Sequence, residues 1–175
     1  MKNNVVKLKK PVCGLCGNSE NLTKTRLVLD PVSITKAIRA KRVLGEFYAI
    51  KVNQAEAEAL TGLTLHTSDS IIVAALQLVE AGVDRVFITL GADGVYYQDF
   101  DTGFFSRAIE TDVINATGAG DAFTAAMIYG FKENLSNKTL VDFCIAASTI
   151  ALCDERTIAA DLNVKSVKTL LSHQF

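Results

Sequence analysis

Short apolar runs alternate with segments of helical periodicity from Leu27 onward, and this alternation restricts the fold more than any other feature of the sequence. A short apolar run bounded by turn residues is typical of a buried strand. Four runs of this kind are present: "LVLD", "YAIKV", "RVFITL" and "GVYYQDF". Because helical segments separate them, the sequence predicts an α/β fold with a mainly parallel sheet flanked by helices.

Capping residues predict where the helices begin and end. One helix is expected between Ser33 and Gly45, and a second between Asn53 and Gly62. A third is expected to bury one face, made of Ile71, Ile72, Ala75, Leu76 and Val79. Three further helices are predicted: one ending near residue 131, a buried one at residues 140–152 and an amphipathic one at the C-terminus.

The composition favours one soluble globular domain, since 49% of the 175 residues are hydrophobic and the net charge is −1. A charge near zero provides no positive field for nucleic acid, and no apolar run approaches the ~18 residues of a membrane span. The N-terminal "MKNNVVKLKK" is not followed by an apolar region, so we expect no signal peptide and a cytoplasmic location. We expect a poorly structured segment at residues 1–25, followed by the domain at residues 26–175.

The four cysteines form one C-x-x-C pair and two isolated residues. Cys13 and Cys16 lack the second pair or the closely spaced histidines that a zinc site needs. They also do not open a helix after a strand, so free thiols are favoured over a redox motif, and the role of the pair stays open. Cys144 and Cys153 are predicted to be small core residues.

The segment "INATGAGDAFTAAMIYGF" places small residues and one carboxylate where an apolar helix begins. Glycines at 118 and 120 and alanine at 119 allow an anion to approach the free N–H groups of the first helical turn. Asp121 would repel a phosphate, but it could take the proton of a hydroxyl that attacks phosphorus. Alternatively, Asp121 is an acidic residue placed in the first turn because the helix dipole favours it there.

The same segment resembles the C-terminal signature of the PfkB, or ribokinase-like, carbohydrate kinases. The usual core of that signature is D-T-x-G-A-G-D, which residues 118–121 match and whose variable position Thr117 can occupy. Asn115 and Ala116 depart from the usual Asp and Thr. Two further segments resemble family motifs in the same order: N-x-x-E at Asn53 and Glu56, and T-x-G-x-x-G at Thr89, Gly91 and Gly94. The resemblance extends from about Leu27 to the C-terminus.

The resemblance implies a role for each matched residue. Asp121 would be the catalytic base, and the amides of Gly118, Ala119 and Gly120 would bind the γ-phosphate of ATP. Asn53 and Glu56 would act through Mg²⁺, with Glu56 reaching the metal through water. The ATP site would be lined by Thr89, Gly91, Gly94 and Thr117, with the helix around residues 146–150 over the adenine. A monovalent cation is also implied.

Simpler roles are available for some of these residues. Asn53 could be only a helix N-cap, and Glu56 a solvated charge on that helix. Gly91 and Gly94 could be only the turn residues of a hairpin.

Within the family, "LDPVSITKA" and "TIAADLNVKSV" resemble most the pseudouridine kinase branch, although Ala159 and Ala160 stand where Asn and Pro would be expected. A complete member is implied to be about twice this length, with an N-terminal half that carries a Gly-Gly substrate motif and a β lid. The chain is therefore expected to be the ATP-binding and catalytic half of a sugar or nucleoside kinase, or a truncated, inactive relative that binds nucleotide. An unrelated α/β phosphate-binding protein is a third interpretation. A homo-oligomer, or a partner that supplies the missing half, stays open.

Overall fold

The computed structural model describes the backbone of residues 4–9 and 25–173, and the side chains of residues 26–173. Its strands are β1 Asn4–Lys9, β2 Thr25–Asp30, β3 Ala49–Asn53, β4 Arg85–Thr89, β5 Val95–Asp99 and β6 Gly103–Ser106. Its helices are α1 Ile34–Ala40, α2 Gln54–Thr61, α3 Ser68–Glu80, α4 Ala119–Lys132, α5 Asn137–Leu152 and α6 Val164–Ser172. Short 3₁₀ turns occupy Lys41–Glu46 and Gly91–Asp93. The predicted α/β class, with a mainly parallel sheet flanked by helices, is confirmed.

The chain divides into two compact units, and the first contains β1 to β3, α1 to α3 and most of β4. In this unit β1, β2, β3 and β4 are neighbours in chain order. β1 is antiparallel to β2, whereas β2 and β3 are parallel, with Val28 opposite Ala49. The carboxyl ends of β2 and β3 therefore lie at one edge, where Asp30 and Asn53 end their strands.

Three features of this unit differ from the sequence-based expectation. β1 lies within the segment 1–25, for which little structure was expected. α1 ends at Ala40 and continues as the 3₁₀ turn, because Val43 has a non-helical backbone. The buried face of α3 is shifted from the predicted one: Ile71 and Ala75 are buried as expected, together with Ala74 and Leu78. Leu76 is 42% exposed, since a helix that is apolar on several sides does not itself determine which side packs.

The second unit contains α4 to α6 and most of β5 and β6, which are neighbours. α5 packs along α4, where Leu140 lies against Gly130 and the rings of Tyr129 and Phe143 stack 5.3 Å apart. The predicted burial of this apolar helix is confirmed.

The two isolated cysteines have different environments. Cys144 is fully buried in α5, as expected, and burial raises the pKa of its thiol. Cys153 is exposed, so its prediction as a core residue is wrong. It caps the end of α5, beyond the buried face, and its Sγ lies 2.8 Å from Thr111 Oγ1. The C-x-x-C pair lies outside the described residues.

Within the described ranges, no helix has both the length and the apolar character that crossing a bilayer requires.

Candidate active site

The turn that leads into α4 brings backbone N–H groups to the surface. Gly118 occupies the N-cap position with φ +91°, a left-handed conformation that glycine adopts without strain. A side chain here would overlap the carbonyl oxygen of Thr157, which lies directly against the Gly118 backbone. Helix geometry leaves the N–H groups of Ala119, Gly120 and Asp121 without acceptors inside the helix. The turn is therefore shaped to receive an anion at a positive helix end.

Side chains of α4 and α5 hold this first turn in place. Ser148 Oγ of α5 donates a hydrogen bond of 3.0 Å to the carbonyl oxygen of Ala119. Thr124 Oγ1, one turn further along α4, donates to the carbonyl oxygen of Gly120 at 3.1 Å. Because nine of the 16 residues of α5 are buried, the helix provides a firm support for the N–H groups.

Asp121 lies in the first turn of α4 with an exposed side chain. A carboxylate in this position is favoured by the helix dipole, and it is also open to a ligand held by the neighbouring N–H groups. Its geometry fits both interpretations made from the sequence, the catalytic and the structural one.

Residues before the turn tie it to the loop that follows α5. Asn115 Oδ1 accepts a hydrogen bond of 2.9 Å from the N–H of Thr117, and Asn115 Nδ2 donates to the carbonyl oxygen of Glu155 at 3.0 Å. The N–H groups of Ile114 and Asn115 both donate to the carbonyl oxygen of Leu152. These bonds fix the residues before the turn to the end of α5 and the loop that follows it, while the side chain of Thr117 is exposed.

An ion pair organises this loop. The guanidinium of Arg156 donates two hydrogen bonds, of 2.9 and 2.8 Å, to the carboxylate of Asp154. The N–H of Ala160 donates to the same carboxylate at 3.1 Å. These bonds, above all those from Arg156, hold the pKa of Asp154 well below its usual range.

The T-x-G-x-x-G segment forms the turn between β4 and β5. Thr89 ends β4, Gly91 starts the 3₁₀ turn, and Gly94 has φ +97°. A side chain at Gly94 would overlap the carbonyl oxygen of Ser106. The two glycines are therefore turn residues, as one interpretation predicted.

In the first unit, the N-x-x-E segment forms a capping box at the start of α2. Asn53 Oδ1 accepts from the N–H of Glu56, and Glu56 Oε2 accepts from the N–H of Asn53, both at 2.9 Å. The N-cap role of Asn53 is confirmed. Glu56 is only 3% exposed, so its interpretation as a solvated charge is wrong. Burial raises the pKa of Glu56, although the bond to Asn53 and the charge of Lys51 oppose the shift.

A buried ion pair near Glu56 was not predicted from the sequence. Lys51 Nζ lies 2.9 Å from Asp30 Oδ2, and both side chains are almost completely buried. The charges of Lys51 and Asp30 both act on the Glu56 carboxyl, so the three groups form one electrostatic cluster at the carboxyl ends of β2 and β3. The available signal was the presence of charged residues inside otherwise apolar strands.

Comparisons with known proteins agree on one group of enzymes. The profile of the pfkB family of carbohydrate kinases matches residues 15–163. Pseudouridine kinase of Escherichia coli (strain K12) is 32% identical over 156 residues, which are 88% of this chain and 50% of that protein. The chain spans about half the length of the curated relatives it matches.

Two solved structures have the same fold over most of the chain. A proposed sugar kinase from Clostridium perfringens is 36% identical, with a TM-score of 0.82 over 85% of this chain and 47% of that one. Arabidopsis thaliana ribokinase complexed with ribose and ATP is 28% identical, with a TM-score of 0.70 over 75% of this chain and 43% of that one.

Proposed function

The chain belongs to the pfkB family of carbohydrate kinases, and on this premise we propose that it forms the ATP-binding and catalytic half of a kinase. The reaction is phosphoryl transfer from ATP to a hydroxyl group of a sugar or nucleoside. One observation carries the proposal: the turn at Gly118 exposes the N–H groups of Ala119 and Gly120 beside the reachable carboxylate of Asp121.

The proposed chemistry uses both parts of this turn. The substrate hydroxyl oxygen forms a bond to the γ-phosphorus while the bond to the ADP oxygen breaks. Asp121 takes the hydroxyl proton, which makes the oxygen a better nucleophile. The N–H groups of Gly118, Ala119 and Gly120 stabilise the negative charge that spreads over the transferred group. Thr89, Gly91, Gly94 and Thr117 are assigned to ATP binding by the resemblance, with the α5 segment at residues 146–150 over the adenine.

The residues of the first unit fit a magnesium ion. Mg²⁺ prefers carboxylate oxygens and keeps several water ligands, and Glu56 engages only one carboxylate oxygen in the capping box among the described contacts. A bound cation also favours the charged form of Glu56, which burial disfavours. We therefore assign Glu56 to Mg²⁺ through water, with Asn53 fixing the orientation of its carboxylate. When bound, the metal neutralises phosphate charge.

Pseudouridine is the first substrate to test, because the kinase of that nucleoside is 32% identical to this chain. The resemblance places most of the residues that would bind the sugar in a half that relatives have and this chain does not match. A partner chain or a second copy that completes the substrate site is part of the proposal.

The test compares wild-type protein with Asp121→Asn and a matched control, Asp69→Asn. Asp69 is also an exposed acidic residue in the first turn of a helix, α3. Titration calorimetry measures Mg·ATP affinity with and without pseudouridine, and ADP release measures transfer in the presence of the chain that completes the substrate site. We expect Asp121→Asn to keep its ATP affinity and to lose transfer by at least about a hundredfold, whereas Asp69→Asn changes neither. Turnover near the wild-type value in Asp121→Asn would refute the assignment of the base.

A second candidate function keeps nucleotide binding at the Gly118 turn without transfer. In this case the chain is an inactive relative that binds nucleotide. ADP release in the presence of the chain that completes the substrate site separates the two functions, because a nucleotide-binding module binds Mg·ATP but still releases no ADP with pseudouridine or ribose. A folded chain that does not bind Mg·ATP contradicts both.

A further inference from the structure

Asn115 occupies the first position of the family signature, where aspartate is usual. Its side-chain amide accepts one hydrogen bond and donates another. Its Oδ1 accepts from the N–H of Thr117, and its Nδ2 donates to the carbonyl oxygen of Glu155. Because one partner can only donate and the other can only accept, the orientation of the amide is fixed by chemistry.

The usual aspartate could make only the first of these bonds. A carboxylate accepts hydrogen bonds and donates none, so its second oxygen would face the Glu155 carbonyl oxygen at about the 3 Å of the present bond. Two oxygen atoms that carry negative charge repel each other at this distance unless a proton or a cation lies between them. The amide N–H of Asn115 removes that need.

The nearest guanidinium in sequence, that of Arg156, is held by two hydrogen bonds to Asp154. The charge of Arg156 is therefore already compensated within its own loop.

The bond between Asn115 and Glu155 matters for the anion-binding turn. It holds the start of the loop whose Thr157 carbonyl oxygen lies against Gly118. Asn115 also fixes Thr117, the residue immediately before that glycine. A change at position 115 is therefore transmitted to both sides of the turn that would bind phosphate.

We propose that Asn115 is a positioning residue whose amide N–H replaces a monovalent cation, so that nucleotide binding by this chain does not depend on potassium. The monovalent cation implied by the resemblance thus does not fit the residues present at this position. The part of the inference that concerns nucleotide affinity rests on the proposed function. The part that concerns the thermal stability of the protein does not depend on nucleotide.

The experiment compares wild type, Asn115→Asp and Asn163→Asp in potassium chloride and in tetramethylammonium chloride at equal ionic strength. Asn163 is a matched control, because its amide also accepts from a backbone N–H, that of Ser166, and donates to a carbonyl oxygen, that of Asp161, both at 3.0 Å. Titration calorimetry measures the Kd for Mg·ATP, and circular dichroism measures Tm. Tetramethylammonium is too large to fit between two oxygen atoms that potassium can bridge.

We expect wild type to have the same Kd and Tm in both salts, and Asn163→Asp to have the same Kd in both, because Asn163 does not bond to the residues around Gly118. Asn115→Asp should bind Mg·ATP about tenfold more weakly in tetramethylammonium, and regain affinity and Tm in potassium. The proposal is wrong if wild type loses affinity when potassium is replaced, or if Asn115→Asp behaves alike in both salts.

Two outcomes keep the inference separable from the proposed function. If wild type does not bind Mg·ATP, the proposed function fails and the Tm of Asn115→Asp in the two salts decides the inference alone. If Asn115→Asp does not fold in either salt, the salt response of wild-type affinity decides it.

Discussion

Replacing Gly118 with alanine should destabilise the protein through two separate costs. An alanine at φ +91° adopts a left-handed conformation, which costs about 1–2 kcal/mol. Its Cβ would also overlap the carbonyl oxygen of Thr157, and that atom belongs to the backbone and cannot rotate away. Forcing such a contact apart costs about 1–3 kcal/mol more. We therefore expect the free energy of unfolding to fall by about 2–5 kcal/mol and Tm by roughly 10 °C.

A matched glycine isolates the second cost. Gly62 ends α2 with a similar φ of +81°, but no atom lies within 4 Å of where its Cβ would be. Gly62→Ala should therefore cost only about 1–2 kcal/mol, the cost of the left-handed conformation alone. Urea unfolding followed by circular dichroism measures both variants. If Gly118→Ala is no less stable than Gly62→Ala, the close approach of Thr157 to the turn is wrong, and with it the argument that only glycine fits position 118.

Three further changes test the rest of the described structure. Burial raises the pKa of Glu56, so its carboxyl group binds a proton more tightly in the folded protein than in the unfolded chain. This proton binding stabilises the folded protein below pH 4.5, and the stabilisation is lost as the pH rises through the raised pKa. Glu56→Gln should flatten that part of a pH series of urea unfolding, and an unchanged profile would contradict the assignment. Lys51→Met removes one member of the buried ion pair with Asp30 and should cost about 3–5 kcal/mol by the same assay, whereas a loss below about 1 kcal/mol would place the pair in solvent. Mass spectrometry after brief treatment with a thiol reagent should find Cys153 modified and Cys144 protected, and early modification of Cys144 would contradict its burial.

The predicted strands and helices followed from local pattern, and most of them are present. Asn53 and Gly62 bound α2 as expected, because a capping side chain and a left-handed glycine act within one helical turn. β1 and β6 were missed, since β1 lies in a basic segment and β6 is only four residues long. The buried face of α3 was misassigned at Leu76, because packing partners, which the spacing of apolar residues does not reveal, select the face.

The sequence predicted which residues of the candidate site lie in turns, but not how buried those residues are or which charges surround them. Gly118 and Asp121 were found from a short motif at the start of a helix, and the structure places both there. The burial of Glu56 and the ion pair of Lys51 with Asp30 were not predicted. Lys51 and Asp30 lie on different strands and are 21 residues apart in the chain. The parallel pairing of β2 and β3 brings these charges together.

Local sequence patterns were enough to predict where this chain turns and where its helices begin, because backbone dihedral preferences and capping bonds act between residues close in the chain. The reason why those residues are needed lies in contacts that form only in the folded chain. Position 118 requires glycine because the Thr157 carbonyl lies against it, and the amide of Asn115 finds its second partner in Glu155, 40 residues later. Burial, close approach and electrostatic coupling arise between segments that are distant in the chain, so they appear only once the chain has folded.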